Sequence, residues 1–144
     1  MTRVFLDASV LFAASYSKTG SSRALFREAI RGKIKIVVSP HVLMEAERNL
    51  AQKAPGALPA LYELSDLVAA QVVEKPSMEE LMHATTYIEL KDAPIVAAAV
   101  KAEVDYLVTW DRRHFIDDPK VAEKSGLTIV TPDKLMTSLK GEKN

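Results

Sequence analysis

Four carboxylates in this chain occupy positions that an α/β fold would bring to one rim of its sheet. They are Asp7, Glu45, Asp92 and Asp111. Asp7 ends an apolar run that begins at Val4, and Asp111 ends a second run that begins at Tyr106. Acids packed so closely repel one another unless they are protonated or share cations. The arrangement therefore predicts a divalent-metal site.

The elements that must position these acids are five short apolar strands that alternate with helical stretches. The predicted strands are Arg3–Leu6, Ile34–Val38, Val72–Glu74, Asp105–Thr109 and Leu127–Val130. Alternation of this kind predicts an α/β fold, in which helices cover both faces of a parallel sheet. The continuous apolar character of the second and fourth runs is typical of strands that are buried on both sides.

Separate arguments place three of the acids at the same edge of this sheet. Ligands of open α/β sheets bind at the carboxyl ends of the strands, where Asp7 and Asp111 lie. A helix that connects two parallel strands starts at that same edge, and Asp92 precedes such a start at Pro94. Convergence from different segments favours one shared site.

Glu45 lies in the helix that Ser39 and Pro40 open with an N-cap and a proline at the first position. Side chains of a helix lean toward its N-terminus, and Glu45 flanks the apolar stripe on the side of Val42. Glu47 flanks the other side. We therefore choose Glu45 as the acid that faces the rim. Further helices are predicted over 23–31, 58–70 and from the capping box at Ser77.

Each acid taken singly also has a purely structural explanation. Asp7 is suited to cap the helix that follows it, and Asp92 is suited to cap the helix at Pro94. Glu45 has the character of a solvated surface carboxylate, and Asp111 of a residue that opens a turn with Arg112. The metal site is favoured by the convergence of all four and not by any one of them.

Composition narrows the class of protein. The chain has 144 residues, 48% of them apolar, which is typical of one globular domain; we assign residues 1–140 to it and 141–144 to a charged tail. Nineteen basic residues balance nineteen acidic ones, so nucleic acid would have to bind to a local basic patch. There is no cysteine for a thiolate site. The sequence has no secretory signal pattern, and its longest apolar run is far shorter than the roughly 20 residues that a membrane helix needs. We therefore expect a cytoplasmic protein that is not bound to a membrane.

Several segments together resemble one known family. They are Phe5–Ser9, Ser39–Glu45, Asp92–Ala98, Leu107–Phe115 and Thr131-Pro132. In this order and spacing they resemble the PIN-domain nucleases, most closely the VapC-type ribonuclease toxins of prokaryotic toxin–antitoxin pairs. The resemblance covers nearly the whole chain, although residues 51–89 contribute no diagnostic position.

The resemblance implies a function and a site. It implies that Asp7, Glu45, Asp92 and Asp111 bind Mg²⁺ or Mn²⁺, with Ser9 and Thr109 as supporting hydroxyls. It also implies a three-layer α/β/α fold with strand order 3-2-1-4-5, RNA as substrate, a small protein antitoxin and often a homodimer. Two other readings are a PIN-domain protein of general RNA processing and a PIN-like interaction module without catalysis.

Roles within the site follow from phosphodiester chemistry, because the anionic substrate needs its charge neutralised. We expect Asp7 and Asp111 to be direct metal ligands, Asp92 to bind directly or through water, and Glu45 to position or deprotonate the attacking water. RNA contacts are assigned to Arg112, Arg113, Lys18 and Arg23. His114 has no visible partner in the sequence. For Trp110 and Phe115, packing in the core is favoured over stacking on a base.

Other acidic folds fit less well. A haloacid-dehalogenase-type phosphatase requires a second aspartate two residues after the first, where this chain has Ser9. A receiver-type domain requires an aspartate at the end of its third strand and a lysine at the end of its fifth, where Glu74 and Thr131 stand. The phosphate-binding loops of nucleotide folds need a glycine pattern that the five glycines do not form.

Overall fold

The computed structural model describes residues 1–142, and its centre is a five-stranded parallel sheet. The strands are β1 (Thr2–Leu6), β2 (Ile34–Val38), β3 (Gln71–Val72), β4 (Tyr106–Val108) and β5 (Ile129–Val130). They are ordered β3-β2-β1-β4-β5. The predicted fold class and strand order are therefore confirmed.

Helices flank this sheet and complete a three-layer α/β/α architecture. They are α1 (Ala8–Tyr16), α2 (Ser21–Ile30), α3 (Pro40–Lys53), α4 (Leu58–Leu67), α5 (Met78–Ala84), α6 (Ala93–Lys101), α7 (Arg112–Phe115), α8 (Pro119–Ser125) and α9 (Pro132–Glu142). A turn of 3₁₀ helix at Pro55–Ala57 joins α3 to α4. Among the described helices, none is long and apolar enough to cross a membrane.

Burial is most complete in the central strand. Val4, Phe5 and Leu6 have no exposed surface, because β1 pairs with β2 on one side and β4 on the other while helices cover both faces. This part of the strand has no solvent side, which explains why its last three residues are all apolar. The rigid end of β1 is what holds Asp7 in place.

Two helix starts follow their predicted caps. The Ser39 hydroxyl accepts a hydrogen bond from Val42 N at 3.3 Å, and Pro40 occupies the first turn of α3. At α5, Ser77 and Glu80 form the reciprocal capping box, with bonds of 3.1 and 2.8 Å. These caps place the starts of α3 and α5 where the sequence predicts them.

The predicted boundaries shift at the sheet edge. The third strand was expected over Val72–Glu74, but β3 begins at Gln71 and pairs with only the last two residues of β2. Helix α4 ends at Leu67 instead of residue 70, because Ala69 takes a left-handed φ of 48° and reverses the chain. A two-residue edge strand carries too little hydrophobic pattern to mark its own limits.

Smaller differences occur at β4, β5 and the C-terminus. β4 and β5 are shorter than predicted, although ladder hydrogen bonds extend to Thr109 N and Thr128 O. Asp111 opens the short helix α7 where only a turn was expected. Of the predicted tail, 141–142 lie within α9, and 143–144 lie outside the described residues.

Candidate metal centre

Asp7 is the most tightly held acid of the predicted set. It is 5% exposed and follows the last residue of β1. Its Oδ1 accepts from Ala8 N at 2.7 Å, whereas its Oδ2 accepts from Ser9 Oγ at 2.9 Å and from Thr109 Oγ1 at 2.7 Å. Asp7 therefore caps α1, as the structural alternative proposed, and is oriented by two further donors.

The hydroxyls of Ser9 and Thr109 connect the ends of β1 and β4. Ser9 Oγ accepts from Trp110 N at 3.1 Å, and Thr109 Oγ1 accepts from Asp111 N at 3.0 Å. Each hydroxyl thus donates to Asp7 and accepts from the segment that carries Asp111. This network fixes the spacing between the two strand ends.

Asp111 is bound mainly to the short helix that it opens. Its Oδ1 accepts from His114 N at 3.1 Å, and its Oδ2 lies 2.8 Å from His114 Nδ1. The Asp111 side chain keeps a third of its surface exposed. His114, which has no evident partner in the sequence, is in fact the closest side-chain partner of Asp111.

Asp92 differs from the other two aspartates because one of its oxygens has no partner. It precedes α6 at the N-cap position, yet its side chain makes no capping hydrogen bond. The residue is 8% exposed, and its buried Oδ2 receives no hydrogen bond from residues 1–142. The simple capping role proposed for Asp92 is therefore absent. A buried carboxylate oxygen is costly unless something compensates it.

The electrostatics of Asp92 show which charges surround it. Burial raises the pKa of Asp92 above its ordinary value, and the negative charges of Asp111 and Asp7 raise it further. Positive charge on Lys91, and on His114 when its ring is protonated, acts in the opposite direction. The structure therefore brings Asp7, Asp92 and Asp111 within electrostatic reach of one another.

Glu45 lies on α3 with a different neighbour. Its Oε1 is 3.1 Å from His41 Nε2, one helical turn earlier, and both side chains are one-third exposed. Asp7, Asp92 and Asp111 thus lie within electrostatic reach of one another, whereas Glu45 lies beside His41 on the same helix.

The tightest group of potential metal ligands includes two residues that the sequence analysis did not select. Across the described residues, Glu89, Asp92 and His114 form the one set of three acids or histidines whose ligand atoms lie within 4.8 Å of one another. Asp92 N donates to Glu89 O at 3.0 Å, so a tight turn brings the two acids together. The three-residue spacing of Glu89 and Asp92 is visible in the sequence, but the approach of α7, which brings His114 to them, is not.

The basic residues predicted to contact RNA occupy different environments. Arg112 and Arg113 are exposed, and Arg113 lines a cleft of about 440 Å³ together with Asp92 and His114. Lys18 is also exposed. Arg23 is half-buried, and its Nε donates to Ala14 O at 2.7 Å, which ties its guanidinium to α1.

The two aromatic residues near Asp111 also differ. Phe115 is buried, as predicted. Trp110 is 40% exposed, and its Nε1 donates to Ser22 Oγ at 2.8 Å. The expectation that Trp110 packs in the core is therefore wrong, because the hydrogen bond to α2 holds the indole beside the strand end.

The donor set fits a hard divalent cation. Carboxylate oxygens are the preferred ligands of Mg²⁺ and Mn²⁺, and Asp92 Oδ2 is a buried acceptor that lacks a donor. Because Mg²⁺ retains several waters, a few aspartates at moderate spacing are sufficient. The residues at this rim can therefore hold such an ion.

Comparisons with known proteins agree with this arrangement. A family model described as PIN domain matches residues 3–113. No curated protein sequence matches the chain at a significant level. Among solved structures, PAE2754 from Pyrobaculum aerophilum is similar, with 21% identity, a TM-score of 0.64, and coverage of 97% of this chain and 96% of that one.

Two further structures share the fold. VapC20 from Mycobacterium tuberculosis, described as a sarcin–ricin loop cleaving toxin, is 17% identical with a TM-score of 0.58, covering 76% of this chain and 91% of that one. VapBC2 from Rickettsia felis, bound to a DNA fragment from its promoter, is 13% identical with a TM-score of 0.64, covering 90% and 98%. At these identities the likeness shows a common fold.

Proposed function

The chain belongs to the PIN-domain family, and on that premise we propose that it is a metal-dependent endoribonuclease, the toxin of a toxin–antitoxin pair. The observation that carries the proposal is that Asp7 and Asp111 lie within electrostatic reach of Asp92, one of whose buried oxygens has no donor among residues 1–142. A folded domain keeps an uncompensated buried carboxylate where function requires it.

The three aspartates supply the proposed binding site for Mg²⁺ or Mn²⁺. Asp7 is oriented by Ala8, Ser9 and Thr109, so it offers a fixed negative charge at the end of β1. When bound, a divalent ion would polarise the phosphoryl oxygen and neutralise charge on the departing oxygen. Asp92 and Asp111 complete the set from α6 and α7.

Glu45 is the proposed residue that positions or deprotonates the attacking water. Its carboxylate is partly exposed and lies 3.1 Å from His41 Nε2, so it is accessible to solvent. His41, when protonated, would attract the Glu45 carboxylate along α3. Water attack at phosphorus breaks the bond to the leaving oxygen, and the proton that the water loses passes to Glu45.

RNA is the proposed substrate, and exposed side chains around the rim are proposed to bind it. Arg112 and Arg113 follow Asp111 directly and can neutralise phosphates, and Lys18 is also exposed. Trp110 presents a partly exposed indole on which a base can stack. The likeness to VapC20, a sarcin–ricin loop cleaving toxin, supports this assignment.

A small protein antitoxin is the proposed partner, and a cytoplasmic homodimer the proposed state. The similar structure of VapBC2 from Rickettsia felis supports this pairing, because its fold covers 90% of the present chain. The antitoxin would neutralise the enzyme until it is removed. Expression of the toxin alone should then inhibit growth, and co-expression of a neighbouring gene that encodes the antitoxin should relieve this inhibition.

The direct test is RNA cleavage by purified protein. With Mg²⁺ or Mn²⁺, the wild type should cut RNA internally, and EDTA should stop it. Asp7→Asn and Asp92→Asn should each lower the rate by more than about 100-fold, beyond the usual cost of losing a residue that only supports a metal ligand. Asp66→Asn, on the exposed surface of α4, is the matched control. Cleavage by Asp7→Asn at the wild-type rate would refute the assignment.

A further inference from the structure

Three ligand atoms from two chain segments meet beside the aspartate rim. Glu89 and Asp92 lie in the turn before α6, and His114 lies in α7. A nitrogen of His114 and one carboxylate oxygen from each acid are all within 4.8 Å of one another. Such spacing is compatible with one ion bound to all three residues.

The hydrogen bonds of His114 determine which nitrogen is available. Nδ1 lies 2.8 Å from Asp111 Oδ2, and a carboxylate accepts, so Nδ1 carries the proton. In the tautomer that carries this proton on Nδ1, Nε2 has a lone pair and lies 3.3 Å from Lys91 Nζ. A histidine whose other nitrogen donates to a carboxylate is typical of metal ligands. Asp111 would thus orient His114 as well as serve the rim.

The burial of Asp92 is a second sign, besides the spacing of the three ligand atoms, that this group takes a ligand. The residue is more than nine-tenths buried and does not cap α6, and in the part of the chain that the structure describes its Oδ2 has no hydrogen-bond partner. Neither a capping role nor an ion pair accounts for this oxygen. A cation between Asp92, Glu89 and His114 would compensate it.

We propose that Glu89, Asp92 and His114 form a mixed nitrogen–oxygen site that binds Mn²⁺ more tightly than Mg²⁺. Imidazole nitrogen is a poor ligand for Mg²⁺ and a good one for transition-metal ions, which gives the selectivity a chemical cause. Because Asp92 also belongs to the aspartate rim, this inference deepens the proposed function. It adds Glu89 and His114, which lie outside the predicted acidic set.

Lys91 is a built-in competitor for this site. Its ammonium group contacts His114 Nε2, the same lone pair that the ion would use, and its charge acts on Asp92. Since Lys91 is exposed, its side chain can swing into solvent when an ion binds. Removing the ammonium should therefore tighten Mn²⁺ binding.

The experiment is Mn²⁺ binding followed by electron paramagnetic resonance, with Mn²⁺ as the only added metal. In the wild type, electron spin-echo spectra should show nitrogen modulation from a directly bound imidazole. His114→Gln should abolish that modulation and weaken Mn²⁺ binding by at least about 10-fold. The other two histidines serve as controls, and His41→Gln and His83→Gln should keep the modulation.

Two more variants separate ligand loss from misfolding. Glu89→Gln should weaken Mn²⁺ binding while the nitrogen modulation remains, because His114 is intact. Lys91→Met should tighten binding by several-fold, and Lys53→Met, an exposed lysine in the last turn of α3, should not. Misfolding cannot tighten binding, so the Lys91 result stands apart from it.

Several outcomes would overturn the inference. Mn²⁺ bound without nitrogen modulation, modulation that persists in His114→Gln, or no Mn²⁺ binding would each do so. RNA cleavage is measured separately. If RNA is cut but bound Mn²⁺ has oxygen ligands only, the mixed site is wrong and the proposed nuclease activity stands. If nitrogen modulation is seen but RNA is not cut with any metal, the mixed site stands and the proposed nuclease activity is wrong.

Discussion

Asp7 and Asp92 are both buried at the same edge of the sheet, yet their surroundings are opposite. Asp7 accepts three hydrogen bonds at the end of β1, and both of its oxygens are engaged. Asp92 lies before α6 with an oxygen that has no donor. The difference teaches that a satisfied acid fixes the geometry of a site, whereas an unsatisfied one is prepared for a ligand.

Among substitutions that keep all four acids, removing a hydrogen-bond donor to Asp7 should lower the rate of RNA cleavage most. Thr109→Val keeps the shape of the side chain but removes the donor to Asp7 and the acceptor for Asp111 N. We expect cleavage of RNA to fall by about 10–100-fold, as when a residue that supports a metal ligand is lost. Steady-state assays check this, and Thr128→Val, exposed beside β5, is the control. An unchanged rate would show that Asp7 does not need this support.

The same substitution at the two aspartates should change stability in opposite directions. In metal-free protein, Asp7→Asn leaves a donor in the network unmatched and should cost about 1–3 kcal/mol, a fall of several degrees in Tm. Asp92→Asn removes an uncompensated buried charge and should raise Tm. Thermal unfolding in EDTA measures both. Destabilisation by Asp92→Asn as large as that by Asp7→Asn would contradict the comparison.

The gain from Asp92→Asn should depend on pH. Because burial raises the pKa of Asp92, the folded state holds its proton more tightly than the unfolded state. The charged carboxylate therefore costs stability above its folded pKa, and the cost disappears below the ordinary value of about 3.9. The difference in Tm between variant and wild type should be full near neutral pH and vanish in acid. If the difference in Tm between Asp92→Asn and the wild type does not change with pH, the buried charge of Asp92 is not its cause.

Sequence reasoning reached the aspartate rim because simple rules govern it. Asp7 and Asp111 follow apolar runs, and the carboxyl ends of parallel strands share one edge. Asp92 precedes a helix that starts at that edge. These rules place backbone positions, but they do not say which carboxylate oxygen will find a donor.

The parts that sequence reasoning missed depend on tertiary approach. His114 meets Asp92 only because α7 folds back toward the turn before α6, a contact between residues far apart in the chain. Trp110 stays 40% exposed while its indole N–H donates to Ser22 on α2, which is also distant in the sequence. Glu45 pairs with His41, a neighbour one turn away that was visible in the sequence but was not weighed against the rim.

The most direct test of the central claim is the response of thermal stability to Mg²⁺. A ligand that binds only the folded state raises its stability, by about 2.7 kcal/mol at 100 times the dissociation constant. If Asp92 holds the ion at this rim, Mg²⁺ should raise the Tm of the wild type and of Asp66→Asn, and leave that of Asp92→Asn unchanged. An equal rise in Asp92→Asn, or no rise in the wild type, would contradict the claim.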